Sequence, residues 1–81
     1  MKTTNITAEA FRNGLRVREM YLYCYFEDAC IRACICTDNK LHYFTKLRGR
    51  DEFECTQQSG IVQQVLLEPV EISESDYNKF Y

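Results

Sequence analysis

An α+β domain built on a small antiparallel sheet of four to five strands, a meander of hairpins with short N- and C-terminal helices, is the fold this sequence predicts. Three observations predict it. Residues 31–37 and 41–48 alternate in character and are rich in β-branched and aromatic side chains, the period-two pattern of strands. Turn-forming residues punctuate the chain at Glu27-Asp28, Asp38-Asn39, Arg48-Gly49 and Ser59-Gly60. Thr7 and Ser73 each stand before a short segment with carboxylates in its first turn, as helix N-caps do.

In chain order, residues 7–13 read as a helix of barely two turns, capped by Thr7 and stopped by Gly14. Isolated helices of fewer than about 12 residues are marginal in water, so this one needs Phe11 docked on the sheet. Residues 17–26 read as a strand with Met20, Leu22, Cys24 and Phe26 on one face and Tyr21, Tyr23 and Tyr25 on the other. Both faces are apolar enough to be covered, which places the strand near the middle of the sheet or at an interface. The tyrosine ladder then either meets a partner or packs under the helices. Residues 27–29 turn the chain into the central hairpin.

Loop length sets that hairpin's register. With a two-residue turn, Ile31, Ala33 and Ile35 would share a face with His42, Phe44 and Lys46, mixing polar with apolar. A three-residue loop at Thr37-Asp38-Asn39 gathers Ile31, Ala33, Ile35, Leu41, Tyr43, Thr45 and Leu47 on one face, and Asn39 suits the left-handed position such a loop needs. The opposite face then carries Arg32, Cys34, Cys36, His42, Phe44, Lys46 and Arg48. Residues 48–51 form a turn or bulge, 52–56 resume alternation, and 61–70 read as a last strand ending near Pro69. After Ser73 a short helix presents Tyr77, Phe80 and Tyr81 to the sheet.

The 81 residues make a single domain, 1–81, with one small core and no room for a lidded catalytic cleft. A net charge of −2 argues against a general nucleic-acid coat, so anion binding has to come from local clustering. Five cysteines, an odd number, and an N-terminus without an apolar signal segment fit reduced thiols and a cytoplasmic location. No apolar run reaches the roughly 20 residues that span a bilayer.

Thiols and an imidazole invite a metal reading at Cys30, Cys34, Cys36 and His42. Cysteines two apart on a flat strand lie ~6–7 Å from each other, however, too far for one tetrahedral ion, so no metal and no cofactor is expected. Cys34 opposite His42 is the sole thiol–base pair, and no glycine-rich oxyanion turn follows it, so no catalytic residue is assigned. Arg32, Lys46, Arg48 and Arg50, with His42 and Phe44 among them, form the better constellation. Such cations neutralise phosphates while an aromatic ring stacks a base. An outward face of this kind also serves as plain solvated surface. Glu52 and Glu54 either pair with these cations or hold a divalent ion beside a triphosphate.

At these residues the chain resembles the CYTH, or triphosphate-tunnel, family, whose strands carry V-R-x-R, L-T-x-K and R-x-E-x-E. Here IRACI, HYFTK and RDEFE follow in that order, over about Tyr21 to Glu54. The resemblance matches Arg32 to the first strand's arginine, Lys46 to the catalytic-type lysine, Arg50 to the next arginine, and Glu52 with Glu54 to the acidic pair. The family's E-x-E-x-K motif has no counterpart before Tyr21, and Cys34 replaces the second arginine. With 81 residues an eight-stranded tunnel cannot close, so the resemblance implies a half-tunnel binding surface.

Three function classes are therefore carried forward. The first is a non-enzymatic module binding RNA or a nucleotide on its basic face. The second is a protein-binding inhibitor or adaptor, of the small acidic kind that viruses and mobile elements direct at a host factor. Its contact would be Tyr21, Tyr23 and Tyr25 or the acidic Glu71, Glu74 and Asp76. The third is a minimal triphosphatase. A homodimer or membership of a complex is expected, because two short helices alone have to cover the tyrosine face.

Overall fold

The computed structural model describes residues 1–80. It is an α+β fold: one antiparallel sheet with helices on both faces. In order the elements are β1 (Thr4–Asn5), α1 (Ala8–Leu15), β2 (Met20–Cys24), β3 (Ala29–Ile35), β4 (Leu41–Leu47), β5 (Phe53–Cys55), α2 (Gly60–Leu67), β6 (Val70–Glu71) and α3 (Glu74–Lys79). The sheet has six strands in the order β1-β6-β2-β3-β4-β5. Strands β2 to β5 form the expected meander. The chain then crosses back through α2, so that β6 pairs with the free side of β2 and β1 closes the far edge.

The central hairpin has the register set by a three-residue loop. Ile35 faces Leu41, Cys34 faces His42, and the ladder runs to Ala29 opposite Leu47. Asn39 takes the left-handed conformation at φ 65°, and its N–H donates to the Cys36 carbonyl at 2.9 Å. Gly49, at φ 72°, makes the next turn and brings the Arg50 N–H to the Leu47 carbonyl at 3.1 Å.

The main core lies between the odd-numbered face of β3–β4 and helices α1 and α2. It gathers Phe11, Leu15, Met20, Leu22, Ile31, Ala33, Tyr43, Val62 and Val65. Ile35 and Leu41, expected in this core, stay exposed at the last pair of the ladder before the hairpin loop. Thr7 caps α1 by accepting the Ala10 N–H at 3.0 Å. Gly14 is not the stop expected of it but lies within the helix. A Cβ there would sit 2.5 Å from the Met20 Sδ, so a larger residue would have to push that buried side chain aside.

Residues 61–70 do not form the expected single strand. Gly60–Leu67 is helical, and only Val70–Glu71 joins the sheet. Gln63 and Gln64, adjacent and both exposed, break a strand's alternation, while Val62 and Val65, three apart, are both buried. That is a helical period, and burial of the apolar side outweighs the β-propensity of Ile61, Val62 and Val65. Strand β2 is shorter than the expected 17–26 and runs from Met20 to Cys24. Val17 and Phe26 both lie in turns and are exposed.

A second, smaller core forms on the even-numbered face. Here Tyr21, Cys30, Ile72, Tyr77 and Phe80 pack together with Tyr23 at their edge. Ser73 caps α3 as expected, accepting the Asp76 N–H at 3.0 Å. Tyr77 and Phe80 form its contact side, and Tyr81 lies outside the described residues.

Candidate functional site

The even-numbered face of β3 and β4 brings Arg32, His42, Phe44, Lys46 and Arg48 together, and each cation has a partner within the chain. Arg32 grips Glu52 with two N–H groups, Nε to Oε2 at 3.0 Å and Nη2 to Oε1 at 2.7 Å, and donates Nη1 to Glu19 at 2.9 Å. Its guanidinium lies 4.1 Å above the Phe44 ring. Lys46 donates to the carbonyls of Tyr77 and Asn78 at 2.9 and 3.3 Å. It thus caps carbonyls at the C-terminal end of α3, where a cation is favoured; the Tyr77 carbonyl also accepts the Phe80 N–H at 3.2 Å. Arg48 pairs with Asp28 at 2.9 Å and lies 4.0 Å above the Phe80 ring.

This face therefore helps hold α3 to the sheet. Hydrogen bonds from Arg32, and then from the Tyr77 hydroxyl, keep the Glu52 carboxyl below its ordinary range despite partial burial. Arg48 likewise holds Asp28 low, and Tyr23, donating to the same carboxylate at 2.6 Å, is itself pushed up to about 12. Arg50 alone of the expected cations takes no part. It is exposed in the turn after β4.

The tyrosine ladder is divided. Tyr21 is buried against Tyr77, with ring centroids 5.2 Å apart, and donates its hydroxyl to Glu19 at 2.6 Å. Tyr23 is half-buried, edge-on to Phe80 at 6.2 Å. Helix α3 thus supplies most of the cover that a partner was expected to give. Only Tyr25 remains exposed. Of the acidic residues, Glu71 pairs with Arg18 at 2.9 Å and Asp76 accepts the Lys2 N–H at 3.3 Å, while Glu74 is exposed on α3.

Cys34 and His42 face each other across the hairpin, but the imidazole is engaged elsewhere. Its Nδ1 lies 2.7 Å from Glu54 and its Nε2 2.9 Å from Asp38. Glu54 chiefly, then Asp38, raises the pKa of His42 above its ordinary value. Stabilisation from this charged imidazole is present below the unfolded value of about 6.5 and is lost as pH rises through the higher folded value. An NMR titration should therefore place the His42 midpoint above 6.5, and Glu54→Gln should lower it. An unchanged midpoint in that variant would remove the assignment.

The flat-strand spacing assumed for the cysteines does not hold at one pair. Cys36 lies just past the end of β3, and its Sγ comes within 3.4 Å of the Cys34 Sγ. Among the described residues, no three His, Cys, Asp or Glu side chains converge as a metal-binding group. No family model matches the chain, and neither does any curated protein or solved structure.

One feature lay outside the sequence reading. Phe26, in the β2–β3 turn, and Leu67, at the end of α2, are 80% and 79% exposed. They flank a pocket of about 240 Å³ that is also lined by Tyr25, Val65, Glu68 and Val70. Phe26 stands directly before the turn signal at Glu27-Asp28, and that position was the available clue, since a turn has no fold-derived reason to carry a large exposed apolar ring.

Proposed function

We propose that this domain is a non-enzymatic protein-binding module, and that it docks its partner on the Tyr25–Phe26–Leu67 surface. The observation that carries this reading is a contrast. The cations of the basic face are spent on holding α3, whereas three large apolar side chains stand exposed around a ready pocket. Exposed aromatics around a concave site are what an interface centre uses as anchors. Glu68 lines this pocket beside Leu67, and the exposed Glu27 follows Phe26 in the sequence. The complementary partner segment therefore inserts an apolar side chain and carries lysine or arginine beside it.

Such a contact is small, so affinity in the micromolar range is expected. RNA or nucleotide binding on the basic face has less support, because a phosphate would have to displace Glu52, Glu19 or Asp28 from arginines they already satisfy. The triphosphatase reading meets the same obstacle at Arg32 and Lys46. No helix among the described residues is long and apolar enough to cross a membrane.

The test is affinity capture from lysate, with nuclease added, comparing wild type with Phe26→Ser/Leu67→Ser and with Arg50→Glu. A partner kept by wild type and by Arg50→Glu, and weakened roughly thirtyfold or more in the apolar double variant, is the expected result. Sedimentation of the same proteins tells a foreign chain from a second copy. Nuclease-sensitive recovery, or a partner indifferent to Phe26 and Leu67, would overturn the reading.

A further inference from the structure

We infer that Cys34 and Cys36 form a redox-active dithiol that closes reversibly into an intrachain disulfide. The sequence places them as Cys-Ile-Cys at the end of β3, and the fold does the positioning. Both side chains leave the strand on its even-numbered face, and their sulfurs stand 3.4 Å apart, already in contact and within reach of a ~2.05 Å bond. Cys36 follows the last ladder pair, Ile35 with Leu41, and its own N–H is held only by the Lys40 carbonyl of the hairpin loop at 3.1 Å. The backbone can therefore rotate there without breaking the ladder.

The other three thiols lack this arrangement. Cys24 and Cys30 are buried in the two cores, and Cys55 contacts the Thr45 hydroxyl at 2.8 Å. With two thiols and no third ligand, the pair suits disulfide exchange better than a tetrahedral metal ion.

Access comes from one side. Cys34 and Cys36 line an open cleft together with Arg16, Arg18, Glu19 and Thr37. Arg18 is held by Glu71, which leaves Arg16 to meet an anionic reagent. The oxidant is a low-molecular-weight disulfide carrying carboxylates. Cys36, the more exposed thiol, loses its proton to solvent and attacks one sulfur of that disulfide, whose S–S bond breaks and releases one thiolate. The Cys34 thiol then gives up its proton and attacks the Cys36 sulfur, expelling the second small thiolate. The protein gives up two electrons and two protons. The small disulfide becomes two thiols, and the reverse sequence reopens the ring. Contact between the sulfurs makes the second step intramolecular at high effective concentration.

Glutathione disulfide is the probe. Trypsin releases Cys34 and Cys36 together on residues 33–40, and Cys24 with Cys30 on residues 19–32, so the pairs are read separately by mass after alkylation. In the native protein the 33–40 peptide should become two hydrogen masses lighter and resist alkylation, and dithiothreitol should reverse the change. The ring should form on the order of tenfold or more faster in the native protein than in the chain unfolded in urea. Cys36→Ser should abolish the light peptide. The inference is overturned if both thiols stay open to alkylation, if glutathione remains attached as the end product, or if the unfolded chain closes the ring equally fast.

Discussion

Tyr77→Ala should cost about 3–5 kcal/mol, a large share of the 5–15 kcal/mol available to a small domain. Tyr77 is 3% exposed and forms the centre of the second core, with Tyr21 at 5.2 Å on one side and the Lys46 ammonium 5.0 Å from its ring. Its hydroxyl donates to Glu52. Truncation would leave a cavity under α3 and unpack the helix that Lys46 and Arg48 grip. Six residues of helix cannot persist without that contact. Tyr77→Phe keeps the ring and loses one charge-assisted hydrogen bond, so a loss of about 1.5–3 kcal/mol is expected. Urea unfolding followed by circular dichroism measures both. A cost below about 1 kcal/mol for Tyr77→Ala would show that α3 does not depend on this packing.

Arg32→Met should destabilise the domain by about 1–3 kcal/mol at neutral pH, and the deficit should shrink in acid. Removing the guanidinium leaves Glu19 and Glu52 close together without a cation between them, and the methionine replaces only part of the contact with Phe44. The range lies below that of a fully buried pair, because the three side chains keep between 22% and 42% of their exposure and water screens them. The sign follows from Glu52, whose folded pKa lies below its unfolded value. Its contribution is present above the unfolded value of about 4.3 and is lost as pH falls through the lower folded one. Wild type should therefore lose stability in acid more steeply than the variant. Parallel acid limbs would mean that Arg32 does not set the Glu52 titration.

The parts of this molecule that were legible in its sequence are those governed by neighbouring residues. The central register followed from Asn39 and from the shared parity of six apolar positions and Thr45. The Thr7 and Ser73 caps followed from side chains that bond within three residues. Helix α2 was not legible as a helix, because β-branched residues favour strands and the deciding sign, two adjacent glutamines, is brief. Strand β1 is two residues long and exists only because β6 lies beside it. The basic face was legible as a cluster, but the carboxylates that pair with its arginines were not all legible. Glu19, Glu52 and Asp28 lie 13 to 20 positions from the arginines they bind, and only the sheet brings them together. The exposed pocket escaped for the same reason, since Phe26 and Leu67 come from elements distant in the chain.

The crossing of the chain from β5 back to β2 also sets an order of events. The β2–β3–β4 ladders join residues close in sequence, so the chain loses little freedom in forming them. The β1–β6 ladder joins Thr4 to Glu71 and requires both ends of the chain to reach a sheet that already exists. Strands β1 and β6 should therefore assemble last and open first. Amide protons there, such as that of Ile6 on the Pro69 carbonyl, should exchange with solvent well before that of Ile31. The domain thus has a durable three-stranded centre and a terminal seam that can part without unfolding it.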